Sequence, residues 1–343
     1  MRRALIIVAA VALSIAGLLL LEHKQRRMTV DASITKSTVP APVPIVVKAA
    51  NQPNQPPDQR LVQSAVQTPS SKQAVANIAF KREIPSRMLA ILGLHGESFS
   101  ERRKAIKALT PPLTPQEIQA AFEYLSSTQY VAVAPAEYAL KNYLMNVLAD
   151  LPTPPTNLLS EFCALYQDKQ QDEVTRDYTL QHIADCLLQG TNRYAVGRSE
   201  AQAVLWSATS QTGETLAGTA LLGLSRVQAI DPTVDSQRVN TVALQMAADP
   251  GTGDLSRITA LQVCANRQLA AVLPQALELA QNGDSISMRA SAIAAVGFLG
   301  GWRDLKTLEA LKKQEDPAIQ PAVEGAIKRL QARLGQTEGK TNI

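Results

Sequence analysis

Two arrangements of apolar residues divide the chain into three parts. Residues 4–21 (ALIIVAAVALSIAGLLLL) are apolar or small without interruption, and a helix of that length, rising about 1.5 Å per residue, spans about 27 Å, enough to cross a bilayer. From about residue 77 the apolar positions recur at i, i+3, i+4 and i+7, which predicts amphipathic helices. Residues 28–76 have neither pattern and are rich in Pro, Gln and Ser, which predicts a disordered linker.

The apolar segment has two interpretations. Arg2 and Arg3 would suit the basic start of a signal peptide, and Ser14-Ile15-Ala16 has small residues where a peptidase cuts. The apolar run continues through residues 17–21, however, so that cleavage site would lie inside the membrane. We therefore expect residues 1–27 to form an uncleaved N-terminal membrane anchor with basic flanks.

The orientation of the anchor depends on the residues around it. Lys24, Arg26 and Arg27 on one side balance the two N-terminal arginines, so the positive-inside rule does not decide. A short N-terminal tail followed by a Pro-rich spacer suits a domain held outside the inner membrane. The expectation is a single-pass inner-membrane protein with a periplasmic C-terminal domain.

The helical body contains local signals for where helices begin. Ser98 and Thr114 each precede a glutamate by three residues, which is the capping-box spacing, and Pro115 suits a first helical position. Asp231-Pro232 and Asp316-Pro317 are interpreted as two more helix starts.

A longer period overlies these signals. The motif of an arginine, two residues, alanine and a large aliphatic residue occurs at Arg257 and again 32 residues later at Arg289, with looser copies at Arg102 and Arg176. A period near 32 residues with two helical segments predicts helix pairs that bury their apolar faces by stacking. Ala260 in this motif would allow close approach to the next unit.

At these residues the chain resembles the HEAT-like repeats of many bacterial proteins, including the group named after phycobilisome lyases. The resemblance is clearest over residues 254–335, where SMRASAIAAVGFLGGWRDLKTLEALKK looks like one unit and DPAIQPAVEGAIKRLQARLG like a closing helix. It implies an all-α fold, a right-handed α-solenoid over residues 77–335, followed by a disordered tail at 336–343. Such solenoids mostly provide curved binding surfaces, although the lyase group leaves an enzyme open.

The distribution of charge along the chain bears on whether a nucleic acid could be its partner. The net charge of +4 arises within the first 27 residues, where five basic residues face one glutamate, so the body is neutral. Nucleic-acid binding by counterion release needs an excess of cations, and we therefore expect no nucleic-acid partner.

Few residues could support catalysis or metal binding. His182 and Cys186 lie four residues apart on one predicted helix face, but two ligands do not make a zinc site, and there is no phosphate loop, nucleophile elbow or HExxH motif. We expect no catalytic residue, no metal and no cofactor. The alternative function is an enzyme, lyase-like or metal-dependent, that uses the face with His182 and Cys186.

Aromatic residues are concentrated between positions 120 and 180, which contain eight of the 14 in the chain. They could fill gaps between irregular units, or they could line a groove that binds a partner. For the groove, Tyr124, Tyr130 and Tyr138 are the candidates. Tyr143 lies about 140° from Tyr138 around a helix, among apolar residues, and is expected in the core.

The terminal helix, expected at about 317–334, has Lys328, Arg329 and Arg333 near its end. These residues suit the solvated face of a capping unit, or else a contact with an anionic lipid or glycan surface. The preferred function is a membrane-anchored interaction or scaffold protein of the bacterial cell envelope, with a protein partner on the solenoid surface.

Overall fold

The computed structural model of the chain describes residues 84–93, 96–128, 135–190, 193–211, 213, 215–313 and 316–338. The predicted anchor helix of residues 4–21, the linker of residues 28–76 and Tyr130 lie outside the described residues.

The described residues form fourteen α-helices and no β-strand, so this part of the chain is all-α as predicted. A short 3-10 turn, Ala270–Val272, precedes the eleventh helix. In chain order the helices are α1 Ser86–Leu92, α2 Phe99–Lys107, α3 Pro115–Ser126, α4 Pro135–Asp150, α5 Leu158–Gln167, α6 Glu173–Leu188, α7 Arg198–Ala208, α8 Leu216–Gln228, α9 Ser236–Ala248, α10 Asp254–Asn266, α11 Leu273–Asn282, α12 Ile286–Leu299, α13 Trp302–Lys313 and α14 Gln320–Glu338.

Local sequence signals place several helix ends correctly. Ser98 and Thr114 cap α2 and α3, and each cap is a complete capping box in which the glutamate carboxylate accepts the N–H of the cap residue. Pro115 begins α3, and Pro274 lies in the first turn of α11, where its missing N–H breaks no helical hydrogen bond.

The helices are arranged in two rows. Each even-numbered helix, from α2 to α12, packs against the next even-numbered helix. Each even-numbered helix, α14 included, also packs against the odd-numbered helix that precedes it in the chain, which makes seven helix pairs. In the odd row, α1, α3, α5 and α7 contact one another in sequence, whereas later odd helices make at most marginal contact within the described ranges.

Small residues allow the even helices to approach closely. Ala260 and Ala292 of the repeated motif are fully buried, as are the neighbouring Leu261 and Ile293. At Gly297 of α12 an added Cβ would lie 2.7 Å from the Cα of Ala326 in α14. The register of the even row therefore depends on residues without bulky side chains.

The arginine of the repeated motif connects the rows. In α2, α6 and α12 it occupies the fourth helical position, and its Nε donates a hydrogen bond to a carbonyl in the last turn of the preceding odd helix. The pairs are Arg102 with Ile91 at 2.8 Å, Arg176 with Tyr166 at 2.9 Å and Arg289 with Ala280 at 3.4 Å. Arg257 of α10 is also buried, but its Nε has no hydrogen-bond partner among the described residues.

The far end of the same arginines reaches the next helix pair. Its partners there are polar side chains near the start of the following even helix. They are Glu137 for Arg102, Gln211 for Arg176 and Asp316 for Arg289. One cation thus satisfies a helix C-terminus and links two successive pairs.

Three expectations need correction. The unit expected at SMRASAIAAVGFLGGWRDLKTLEALKK begins with the motif helix, whereas in the structure the motif helix is the second member of each pair, because its main odd-row contact is with the helix before it. Asp231 and Asp316 do not begin helices; α9 and α14 start at Ser236 and Gln320, and the two carboxylates instead pair with Arg198 and Arg289. The terminal helix also runs to residue 338, past the predicted end at 334 and into the expected tail.

Candidate functional site

The even helices leave one side open to solvent. Each has even neighbours on two sides and an odd partner on a third, so the remaining side forms a continuous surface, which we call the even-helix face. On α6 this side carries Asp177, Gln181 and Asp185, spaced four residues apart, none fully buried, while Leu180 and Ile183 between them are fully buried.

Aromatic side chains cross the even-helix face between α2 and α6. The guanidinium carbon of Arg103 in α2 lies 4.8 Å from the centre of the Tyr143 ring in α4, which is a cation–π contact. Tyr178 in α6 is close enough to Tyr143 and Asp177 for both to raise its pKa, although burial is the larger cause. Both rings are half-buried and pack against the core on one side.

Asp177 lies beside this aromatic pair. Its Oδ1 accepts a hydrogen bond from the Thr219 hydroxyl of α8 at 2.7 Å, and its Oδ2 accepts one from the Gln181 amide at 2.8 Å. Burial raises the pKa of Asp177 in spite of these donors and of Thr215. None of the ion pairs among the described residues includes Asp177.

Two turns along α6, Asp185 has a different environment. It forms an ion pair with Arg226 of α8 at 2.9 Å, with both side chains more than a third exposed. Burial raises the pKa of Asp185, and Arg226 opposes that shift. On α6, Asp185 therefore has an arginine partner, whereas Asp177 has no ion-pair partner among the described residues.

Of the predicted groove residues, the structure describes Tyr124 and Tyr138, and it gives them different environments. Tyr124 is completely buried, and its hydroxyl bonds with Arg102 and Glu137, so it cannot belong to an exposed groove. Tyr138 is half-buried near Asp172 at the start of α6. Tyr143, expected in the core, is the tyrosine of α4 that borders the even-helix face.

Most of the remaining aromatic cluster fills space between helices, as one of the two accounts proposed. Phe122, Phe162 and Tyr166 are buried. The sequence pattern could not separate Tyr143 from these residues, because an apolar stripe at the edge of the core has the same spacing as one at its centre.

His182 and Cys186 share a helix face, but that face is in the core. The His182 imidazole donates from Nε2 to Asn142 Oδ1 at 2.8 Å, and burial lowers its pKa to about 4. Cys186 is fully buried, with a thiol pKa raised to about 12 chiefly by burial. Neither side chain is placed to meet a substrate from solvent, and a thiol with that pKa is a poor nucleophile.

The other cysteines are in the same situation. Cys163 and Cys264 are also buried and unbridged, and burial raises both thiol pKa values to about 12. In the part of the chain that the structure describes, no three His, Cys, Asp or Glu side chains gather as a metal ion would need.

The basic residues of α14 serve partly structural roles. The Arg333 guanidinium donates to the carbonyl of Gly300 at the end of α12, and the Arg329 guanidinium carbon stacks 4.0 Å from the Phe298 ring centre. Lys328 is exposed. A contact with an anionic surface would therefore depend mainly on Lys328 and the outer edge of Arg329.

One buried cation, Lys141, was not predicted from the sequence. Lys141 in α4 donates to the Ser127 carbonyl after α3 at 2.7 Å and to Gln171 before α6 at 2.9 Å. It is almost fully buried, and burial lowers its pKa to about 8. Lys141 connects successive helix pairs as the motif arginines do, and its position three residues later in the helix hides the correspondence.

Comparison with known proteins adds no identification. No protein-family model and no curated protein sequence matches the chain. Across the described ranges, no helix combines the length and the apolar composition required to cross a bilayer.

Proposed function

We propose that the chain is a membrane-anchored, non-enzymatic interaction protein of the bacterial cell envelope, whose helical body is a HEAT-like α-solenoid that binds a protein partner on its even-helix face. The observation that carries the proposal is the pair of rows, in which each helix pair packs on its neighbours and leaves one continuous surface. Solenoids of stacked pairs provide such surfaces for binding.

Two features favour the even-helix face over the odd row. Even helices pack together along their whole row, whereas the odd row loosens after α7, and in a curved stack the closer-packed row lies on the concave side. The even-helix face also has half-buried tyrosines beside charged groups, and aromatic side chains are frequent anchors in protein interfaces.

The enzyme alternative is less well supported. The only His and Cys pair on one helix face in the described residues is His182 with Cys186, and both side chains are buried. The location stays a prediction from residues 1–76: anchored in the inner membrane through residues 4–21, with the body in the periplasm.

Photo-crosslinking in the producing cells tests the binding surface. A photoreactive amino acid at Asn146, exposed on the even-helix side of α4, should give a discrete adduct with a protein partner. The matched control is Ser207, exposed on α7 in the odd row. An adduct from Ser207 and none from Asn146 would contradict the proposed surface.

A further inference from the structure

We infer that the surface formed by Tyr143, Asp177 and Tyr178 receives the cationic side chain, lysine or arginine, of the partner protein. This inference rests on the proposed function and specifies the chemistry of the partner. The three residues, with Gln181 and Thr219, are called the Asp177 site.

No basic side chain among the described residues forms an ion pair with Asp177. Three other buried or partly buried carboxylates each have an arginine partner: Glu137 has Arg102, Asp231 has Arg198 and Asp316 has Arg289. Among the described residues Asp177 has neutral donors, the hydroxyls of Thr219 and Thr215 and the Gln181 amide. A carboxylate taken partly out of water without a cation is stabilised strongly when one arrives.

The geometry of Asp177 leaves room for further hydrogen bonds. Each carboxylate oxygen has two lone pairs, and with Thr219, Gln181 and Thr215 as donors the carboxylate can still accept one more hydrogen bond. An ammonium group or a guanidinium group satisfies this need and supplies the missing charge in the same contact.

The neighbouring rings suit the rest of such a side chain. Elsewhere in this molecule arginines lie over aromatic rings, as Arg103 does over Tyr143 and Arg238 over Trp206. No such cation covers Tyr178 among the described residues. The aliphatic stem of a lysine or arginine would pack along the half-buried tyrosines while its charged end reaches Asp177.

A metal ion fits this site poorly. Calcium and magnesium prefer several oxygen ligands, usually with more than one carboxylate, and no group of three acidic or metal-binding side chains is present in the described residues. Asp185, two turns away, is already paired with Arg226. A single carboxylate without a second acidic ligand in the described part of the chain matches one organic cation.

The test measures binding of a blocked Ala-Lys-Ala peptide to the intact chain by NMR, following the side-chain amide of Gln181. A peptide with ε-acetylated lysine has nearly the same shape without the charge. The lysine peptide should give a saturable shift and the acetylated peptide none. This comparison uses the wild-type chain and does not depend on any variant folding.

Variants then locate the binding. Asp177→Asn keeps the side-chain shape and should lower the affinity for the lysine peptide at least about tenfold. Asp185→Asn, on the same face of α6, should change affinity by less than about twofold, because its charge is already balanced. Equal binding of charged and acetylated peptides, or equal affinity in Asp177→Asn and wild type, would overturn the inference.

The crosslinking experiment separates this inference from the proposed function. If Asn146 gives the same adduct in Asp177→Asn as in wild type, the partner surface stands and the cation inference fails. If Asn146 gives no adduct although the lysine peptide binds, the proposed function fails, and with it the assignment of that cation to a partner protein.

Discussion

Replacing Gly297 by alanine tests whether α12 and α14 touch as closely as the structure shows. The new Cβ would lie 2.7 Å from the Cα, 2.8 Å from the Cβ and 3.2 Å from the carbonyl oxygen of Ala326. Carbon atoms prefer separations of about 3.5–4 Å, so the two helices must move apart by about 1 Å. The neighbouring atoms belong to backbone and to a short side chain, and no rotamer change relieves the contact.

The expected magnitude combines two opposing effects. Alanine in place of a mid-helix glycine stabilises by about 1 kcal/mol, and overpacking a close helix contact costs about 1–3 kcal/mol. Gly297→Ala should therefore lower the free energy of unfolding by up to about 2 kcal/mol. Gly325→Ala is the matched control, because nothing lies within 4 Å of its added Cβ, and it should stabilise by about 0.5–1 kcal/mol.

Urea unfolding of the intact chain, followed by far-ultraviolet circular dichroism, measures both variants. The midpoints of the two variants should move in opposite directions from that of wild type. If Gly297→Ala raised the midpoint as much as Gly325→Ala does, the close contact between α12 and α14 would be refuted.

Three further predictions concern buried groups. Arg102→Met leaves Glu137 buried without its cation and should lower the free energy of unfolding, measured with urea, by about 3–5 kcal/mol. Arg226→Met removes one partner of a half-exposed pair and should lower it by less than about 1 kcal/mol. Similar losses in the two variants would contradict the difference in burial. Burial lowers the pKa of His182 from 6.5 to about 4, so the unfolded chain binds the proton more tightly. The contribution of neutral His182 to the free energy of unfolding should be fully present above pH 6.5 and should decrease by about 1.4 kcal/mol per pH unit as the pH falls towards 4. His182→Asn should remove that slope, and an unchanged slope would exclude His182 as its cause. The three buried thiols should not react with a disulfide reagent at about pH 8 until the chain unfolds, and fast reaction of the folded chain would revive the enzyme alternative.

Features that depend on neighbouring residues were predictable from the sequence. The capping boxes at Ser98 and Thr114 and the position of Pro115 involve groups within one helical turn, and the structure agrees at each. The repeated arginine motif also indicated stacked helix pairs, because its 32-residue period exceeds any single helix.

Features that depend on distant partners were not predictable. Asp316 looked like a helix cap, since the sequence does not show that Arg289 lies beside it after folding. Tyr143 was placed in the core for a similar reason: its apolar neighbours on α4 are visible in the sequence, but the solvent on its other side is not. The Asp177 site combines α4, α6 and α8, and its residues are separated by up to two helices.

Hydrogen exchange in a chain that ends at residue 315, without α14, tests the stacked architecture most directly. Each pair shares its core with its neighbours, so loss of α14 exposes α12 while leaving α2 to α6 in their own contacts. We predict faster amide exchange in α12 and α13, a smaller increase in α10, and rates in α2 to α6 equal to those of the full chain. Equal acceleration in all helices, or no change in α12, would contradict a stack of helix pairs held together by neighbouring units.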